Sequence, residues 1–310
     1  MVALAGGVGA ARFLRGLVRA VDPRDVTAII NTGDDRRFYG VHVSPDIDIV
    51  TYTLAGRVDR QRGFGLADDT FALIDALAAL GHETWFRLGD ADFATCQHRS
   101  LRLAEGAGLA EVTDEIRRRF GVATRLLPMS EDPCATLVEL SGGDRMHFEE
   151  YLVRDGAPSD VEGVDLSAAR NARPGPGVLD ALRAARSILF CPSNPVVSIG
   201  PILALPGVRE ALRESTAPVI AISPIVAGAP VKGPADSLLR GIGAEVSARG
   251  VARLYRELID GFVLDTRDRE EASDVAALGL RCIAVDTLMR DGDVAERLAR
   301  DALELADSLR

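Results

Sequence analysis

Val2-Ala3-Leu4-Ala5-Gly6-Gly7-Val8-Gly9-Ala10-Ala11-Arg12-Phe13-Leu14 sets the architecture expected of the chain. A short apolar run ends in three glycines among four residues, and Phe13, Leu14, Leu17 and Val18 then share one helical face. The pattern predicts a strand, a tight glycine turn and a helix. Glycines let a backbone approach phosphate closely, and the helix start offers free N–H groups and a positive dipole end. The turn is therefore expected at the switch point of an open α/β sheet, with Gly6, Gly7, Val8 and Gly9 as candidate nucleotide-binding residues. The strict dinucleotide fingerprint needs glycine where Arg12 stands, and a P-loop needs Gly-Lys-Ser/Thr. Neither is present, and Lys232 is the only lysine in the chain. The competing reading is a glycine turn required by strand–helix packing alone.

The 310 residues suffice for one large α/β domain or two smaller ones. Apolar residues make up 47% and charged residues 26%, ordinary values for a globular protein. No apolar run approaches the roughly 20 residues of a membrane span, and no basic-then-apolar leader opens the sequence. Cys96, Cys134, Cys191 and Cys282 form no CxxC pair and read as reduced thiols, so a cytoplasmic protein is expected. A net charge of −10, with no dense basic run beyond Arg117–Arg119, argues against nucleic acid as a partner. An acidic chain that binds an anion needs local compensation from helix starts, arginines or a metal.

Val26-Thr27-Ala28-Ile29-Ile30 reads as the second strand and runs into Asn31-Thr32-Gly33-Asp34-Asp35. Two carboxylates at a strand's C-terminal end cannot easily meet phosphate directly. A divalent cation between them resolves the conflict, since Mg²⁺ takes one or two carboxylates plus phosphate oxygens. An Asp-rich turn is the alternative. Ser44-Pro45 then predicts an N-cap with proline at the first helical position, which puts Asp46 and Asp48 in the first turn. Asp34, Asp35 and Asp46 are candidate metal ligands. Those two aspartates also fit simple complementation of the helix dipole.

Asp68 to Leu80 predicts an amphipathic helix closed by Gly81, and Trp85-Phe86-Arg87-Leu88 a buried strand with Arg87 aimed at the cleft or at a sheet edge. Asp92 to Ala104 and Leu109 to Phe120 predict further helices. From Arg125 the texture changes. Leu126-Leu127-Pro128-Met129, Ala135 to Leu140 and Arg145 to Val153 read as short strands, with Ser141-Gly142-Gly143-Asp144 as a hairpin connection. The expectation is a small antiparallel β subdomain over 125–170, inserted into a core of 1–124 and 171–310. His147 stands in that subdomain as a residue that overhangs the cleft. Beyond it come strands at Ser187 to Phe190, Val219 to Ile225, Phe262 to Asp265 and Cys282 to Thr287, with helices around Arg249–Leu258 and Asp293–Leu309. Strands alternating with helices predict a Rossmann-like, three-layer α/β core on a mainly parallel sheet. Its strand ends would bring Gly-Gly-Val-Gly, Asn-Thr-Gly-Asp-Asp and Cys-Pro-Ser-Asn-Pro to one edge.

Taken together, GGVGAARFL (6–14), NTGDD (31–35), SPDIDIVTYTL (44–54), WFRLGDADFAT (85–95), LLPMSEDP (126–133), CPSNPVVSIGPIL (191–203), SPIVAGAPVKGPA (223–235) and VDTLM (285–289) resemble the phospholactate/phosphoenolpyruvate transferases of deazaflavin coenzyme F-420 biosynthesis. The resemblance covers essentially the full length. It implies transfer of a phosphorylated three-carbon acid from a GDP-linked donor to the ribityl hydroxyl of the deazaflavin Fo, with release of GMP. It also implies Mg²⁺ and a homodimer.

Carried onto this chain, the resemblance assigns Gly6 to Gly9, Asn31, Asn194, Ser198 and Gly200 to the nucleotide. Asp34 and Asp48 become the catalytic candidates, and Asp48 with Arg87 the contacts to Fo. Relatives often carry histidine at the place of Cys96, and tryptophans where Tyr151 and Leu152 stand. Cys96 and His147 are therefore candidate determinants of which acid is used: phospholactate, phosphoenolpyruvate or 3-phosphoglycerate. Two rivals are a nucleotide-sugar-binding regulator of the same fold and an NAD-dependent dehydrogenase; the missing third glycine and Asn31 at the end of strand two argue against the latter.

Overall fold

The computed structural model describes residues 1–310. Seven short strands form one fully parallel sheet: β1 (Val2–Ala5), β2 (Thr27–Ile30), β3 (Arg125–Pro128), β4 (Ile188–Phe190), β5 (Val219–Ile222), β6 (Gly261–Asp265) and β7 (Arg281–Val285). Their order across the sheet is β7-β6-β5-β4-β1-β2-β3. Every residue of β1, β4, β5 and β6 is buried, as expected for strands covered on both faces. Alternation sorts them into two cores. Val2 and Leu4 join Ile29, Phe190 and Phe262 on one face, while Ala3 and Ala5 join Phe13, Leu14 and Ile30 on the other.

The strand order reverses between β1 and β4, which pair in parallel through Leu4 and Phe190. The chain leaves β1 toward β2 on one side and reaches β4 on the other, so the crevice at their carboxyl ends is the switch point. The glycine turn, Asn31 to Asp35 and Cys191 to Asn194 all emerge there.

Helix α1 (Gly7–Ala20) packs against α2 (Pro45–Leu54) and against the C-terminal helix Gly292–Asp307. Gly16 makes the second contact possible: a Cβ there would lie 2.3 Å from the backbone of Ala295. Two helices follow α2, α3 (Ala72–Ala79) and α4 (Asp90–Ala104).

Several sequence expectations are corrected. Arg125–Pro128 belongs to the parallel sheet, paired with β2, and not to the antiparallel unit. That unit holds three strands, with Leu137–Leu140 between Arg145–His147 and Val161–Asp165. Residues after His147 turn helical, because Phe148 and Tyr151, three apart, pack together on one side. Residues 85–88 form no strand. The helix expected from Asp68 begins at Ala72, because the Asp90 carboxylate accepts from the N–H groups of Ala72 and Leu73 and fixes its start. An unforeseen hairpin, Arg36–Phe38 with Val41–Val43, precedes α2.

The antiparallel unit is stitched to the switch point by backbone bonds. Thr136 N–H donates to the Gly33 carbonyl at 2.8 Å, and Phe148 N–H donates to the Thr136 carbonyl at 3.0 Å. The end of this unit therefore hangs over the Asn31–Asp35 turn.

Gly16→Ala is expected to force α1 off the C-terminal helix and to cost about 1–3 kcal/mol, the usual penalty of overpacking. Urea unfolding midpoints test it; an unchanged midpoint would show that the helices separate freely.

Candidate active site

Gly7 adopts φ +71°, open to glycine but costly for other residues. Its N–H donates to Asp46 Oδ1 at 2.6 Å. The start of α1 is thus met by a carboxylate of the protein itself, a favourable pairing with the helix dipole. Gly6 and Gly9 serve close approach: a Cβ at Gly6 would lie 2.7 Å from Ser198 Cβ, and one at Gly9 would lie 2.2 Å from the Pro192 carbonyl oxygen.

Asn31, fully buried at the end of β2, ties the loops together. Its Nδ2 donates to Asp46 Oδ2 at 2.9 Å and lies 3.3 Å from both Asp34 Oδ2 and the Val197 carbonyl. Its Oδ1 accepts from Gly33 N–H at 2.8 Å. Asp35 is held by His42 Nε2 at 3.1 Å and by the Ser44 hydroxyl at 2.7 Å. Ser44 therefore spends its hydroxyl on Asp35 and does not cap α2 with its side chain, contrary to expectation.

Asp34, Asp46 and Glu149 are buried, with Asp35 close by. Burial comes first and mutual repulsion second in raising their proton affinity. Asp34 is pushed well above the usual carboxylate range by burial, then by Asp46, Glu149 and Asp35. Asp46 rises to about 6 through burial, and Glu149 to about 8 through burial and then Asp46 and Asp35. Asp34 Oδ1, Asp35 Oδ1 and the hydroxyls of Thr32, Thr136 and Ser193 are buried without a partner. Buried polar atoms are ordinarily satisfied, so the orphaned oxygens of Thr32, Asp34 and Asp35 in one turn mark a place for a ligand or cation.

A second buried cluster lies on the other side of α2. Arg99, fully buried on α4, engages both oxygens of Asp48, with Nη1 3.1 Å from Oδ2 and Nη2 on Oδ1. Cys96 Sγ lies 3.9 Å from Asp48 Oδ2 and 3.7 Å from Arg99 Nη1, its thiol pushed up first by burial and then by Asp48. Asp92 accepts from the Tyr52 hydroxyl at 2.6 Å and rises to about 7 through burial and the nearby Asp48.

The structure thus brings Gly6, Gly7, Asn31, Asp34, Asp46 and Ser198 into one crevice, with Asp35 beside it. It separates others. Asp48 faces Arg99, away from Asp46. Arg87 is half exposed, pairs with Asp75 at 2.8 Å and lies 4.9 Å over the Phe71 ring, outside the carboxylate crevice. Asn194 Oδ1 accepts from Val196 N–H at 2.9 Å, closing its own turn. Gly200 borders a cavity of about 660 Å³ whose lining includes none of the crevice carboxylates. Cys96 and His147 do not share a wall: Cys96 is sealed against Asp48, and His147 Nδ1 accepts from Glu149 N–H at 3.2 Å.

Glu149, Arg99, Asp92 and His42 escaped sequence reasoning. Glu149 and Arg99 arrive from segments remote from Asp46 in sequence.

The family profile described as 2-phospho-L-lactate transferase CofD matches residues 1–299. The chain belongs to that transferase family. A phosphoenolpyruvate transferase of Kitasatospora aureofaciens is 48% identical over 316 residues, spanning all of this chain and 98% of that protein. A 2-phospho-L-lactate transferase of Methanopyrus kandleri is 42% identical over 313 residues, spanning all of this chain and 98% of that one. A crystal structure of a UPF0052-family protein from Bacillus halodurans shares the fold, with a TM-score of 0.66 and 18% identity over 97% of each chain. No helix of this family member is long and apolar enough to cross a membrane.

Two outcomes follow from this geometry. Arg99→Met strands the Asp48 charge in the interior and is expected to cost about 3–5 kcal/mol, with part recovered in Asp48→Asn/Arg99→Met, as thermal and urea unfolding would show. The crevice carboxylates hold protons more tightly folded than unfolded. Their contribution is therefore fully present only below the ordinary values, 3.8 for Asp46 and 4.5 for Glu149, and is lost as pH rises from there through about 6 for Asp46 and about 8 for Glu149. In EDTA, unfolding midpoints should fall from pH 5 to pH 8.5, and less steeply in Glu149→Gln. Parallel profiles would remove Glu149 from the coupled cluster.

Proposed function

We propose that the chain transfers a phosphorylated three-carbon acid from a GDP-linked donor to the terminal ribityl hydroxyl of Fo, releasing GMP, as a step of coenzyme F-420 biosynthesis. The observation that carries this reading is the coincidence of two things. Family membership spans the full length, and the family's sheet edge holds buried, under-satisfied carboxylates where a diphosphate and a cation would meet. Phosphoenolpyruvate is the first acid assigned, because the relatives of 43–48% identity are named phosphoenolpyruvate transferases and those of 39–42% are named 2-phospho-L-lactate transferases.

Asp34, Asp35 and Asp46, with the Thr32 hydroxyl and Glu149 at hand, offer the kind of hard oxygen donors Mg²⁺ prefers, and we assign the ion to them. As they stand their oxygens are not gathered around one point: the three ligand atoms that lie within 4.8 Å of one another belong to Asp48, Asp92 and Cys96 beyond α2. Bound there, the ion would neutralise the donor's phosphate oxygens and the departing GMP. Every remaining task falls to the chain. The ribityl oxygen forms a bond to the acid's phosphorus while the bond from that phosphorus to the bridging oxygen breaks, and GMP leaves with that oxygen. Such a transfer depends on in-line positioning and charge neutralisation.

The hydroxyl's proton needs a nearby acceptor. Asp34, with Oδ1 free, suits that role better than Asp48, whose two oxygens are both held by Arg99. Asp48 and Arg87 remain assigned to the acceptor side, where α2 and α4 form the wall and Arg87 over Phe71 offers a flat cationic surface.

Purified protein mixed with Fo, Mg²⁺ and the GDP-linked phosphoenolpyruvyl donor should give an Fo adduct and GMP by mass spectrometry. EDTA should abolish the product, and Asp34→Asn should lower turnover at least about 100-fold, the scale of general acid–base assistance. Absence of an adduct with phosphoenolpyruvyl, phospholactyl and phosphoglyceryl donors alike would overturn the reading.

A further inference from the structure

The cavity that Gly200 borders lies on the face of the sheet opposite α1. It opens among the helices Ile199–Ala204, Val208–Glu214 and Ala248–Tyr255, which pack with Phe190, whereas α1 packs with Ala3 and Ala5 on the other side. Its volume of about 660 Å³ is that of a small-molecule site. Leu166, Val196, Leu203 and Leu205 give it apolar walls, and Ile242 and Leu254 stand at its mouth, 41% and 37% exposed. Pro195, Val196 and Gly200 of the inner wall belong to the segment whose Val197 carbonyl meets Asn31. The cavity and the carboxylate crevice thus share a wall but not a space.

Tyr255 is the polar group of the interior. It lines the cavity, is only 3% exposed, and crosses the Phe190 ring edge-on with centroids 5.2 Å apart. Its hydroxyl makes no hydrogen bond within the protein, and burial alone pushes its pKa up. The other three tyrosines of the chain all find partners: Tyr39 donates to the Phe86 carbonyl at 2.8 Å, Tyr52 to Asp92 at 2.6 Å and Tyr151 to the Pro158 carbonyl at 3.0 Å. A buried hydroxyl without a partner costs stability, so one that borders open space is a place where a ligand oxygen would be held.

The mouth carries charge of one prevailing sign. Arg170 and Arg209 are exposed there, and neither has a carboxylate within 4.0 Å, although Glu210 shares the rim. Two guanidinium groups against one carboxylate leave this opening net positive in a chain of net charge −10. Polarity therefore runs from cations at the mouth, through apolar walls, to a single unpartnered hydroxyl inside.

We propose that this cavity binds a small apolar carboxylate, separate from the substrates of the transfer reaction. The carboxylate meets Arg170 and Arg209, whose planar forks suit it. The body lies on the leucine and valine walls, where its burial drives binding. An oxygen at the inner end pairs with the Tyr255 hydroxyl.

Isothermal titration with three matched probes tests this: phenylbutyrate, its para-hydroxy analogue and neutral phenylbutanol. In wild type the hydroxy acid should bind about 3- to 10-fold tighter than phenylbutyrate, and phenylbutyrate about 3- to 10-fold tighter than the alcohol. Tyr255→Phe should erase the first difference and keep the second. Arg170→Met/Arg209→Met should erase the second and keep the first. Because the Tyr255 hydroxyl has no partner to lose, Tyr255→Phe should melt no lower than wild type; a lower melting temperature would show that the hydroxyl is spent inside the protein and would overturn its role. Excess GDP with Mg²⁺ should leave probe binding unchanged, and competition would overturn the separate site by returning the cavity to the donor. Absence of saturable binding by all three probes, or affinities unmoved in both variants, would overturn the proposal, and none of these results depends on the transfer reaction.

Discussion

Carboxylates crowded into the carboxyl end of a parallel sheet repel one another and resent burial, yet Asp34, Asp35, Asp46 and Glu149 are held together there. Such a cluster persists only because other groups over-determine it. Asn31 donates into it from β2, Gly7 offers the dipole end of α1 to Asp46, and His42 with Ser44 holds Asp35. The Thr136–Gly33 and Phe148–Thr136 backbone bonds swing Glu149 over the same space. Most of the irregular structure at this edge exists to place these groups, which is why the hairpin and the antiparallel unit attach where they do. The result is a site short of positive charge and short of hydrogen-bond donors, a condition that a cation with phosphate oxygens around it relieves.

The glycine turn takes a different meaning from that in a dinucleotide-binding fold. Its glycines let α1 and the loop after β4 approach to contact, and its N–H is spent on Asp46. The helix dipole thus stabilises a carboxylate of the protein, and the carboxylate in turn is presented to the crevice.

Much of the fold was legible because strands buried on both faces are written as unbroken apolar runs closed by turn residues. β1, β2 and β4 to β6 have that form, and the edge strand β7, though only partly buried, still reads as an apolar run from Cys282 to Val285. β3 was misplaced among the antiparallel strands, since Leu126, Leu127 and Pro128 carry no mark of which distant strand they pair with. The strand expected over Arg145 to Val153 stops at His147, and Glu150 to Arg154 fold as a helical turn on which Tyr151 packs with Phe148. In the crevice, Asn31, Asp34 and Asp46 could be read from a glycine-flanked turn and a helix start. Glu149 could not, as its approach depends on the backbone bond from Thr136 to Gly33, about a hundred residues away in sequence, and on the Phe148–Thr136 bond that follows it.

Asp46 and Asp48 show how much a helix resolves that a sequence leaves joined. Two residues apart in the first turn of α2, they look like one acidic feature. Successive side chains on a helix diverge by about 100°, so residues i and i+2 face opposite ways. Asp46 turns to Gly7 and Asn31, while Asp48 turns to Arg99 on α4. One is left near a pKa of about 6, exposed to the influence of its acidic neighbours; the other is neutralised by a fully buried guanidinium. A single turn of helix therefore separates a charge kept available in the crevice from a charge used to fix the wall beside it, and α2 links the two so that neither can shift without the other.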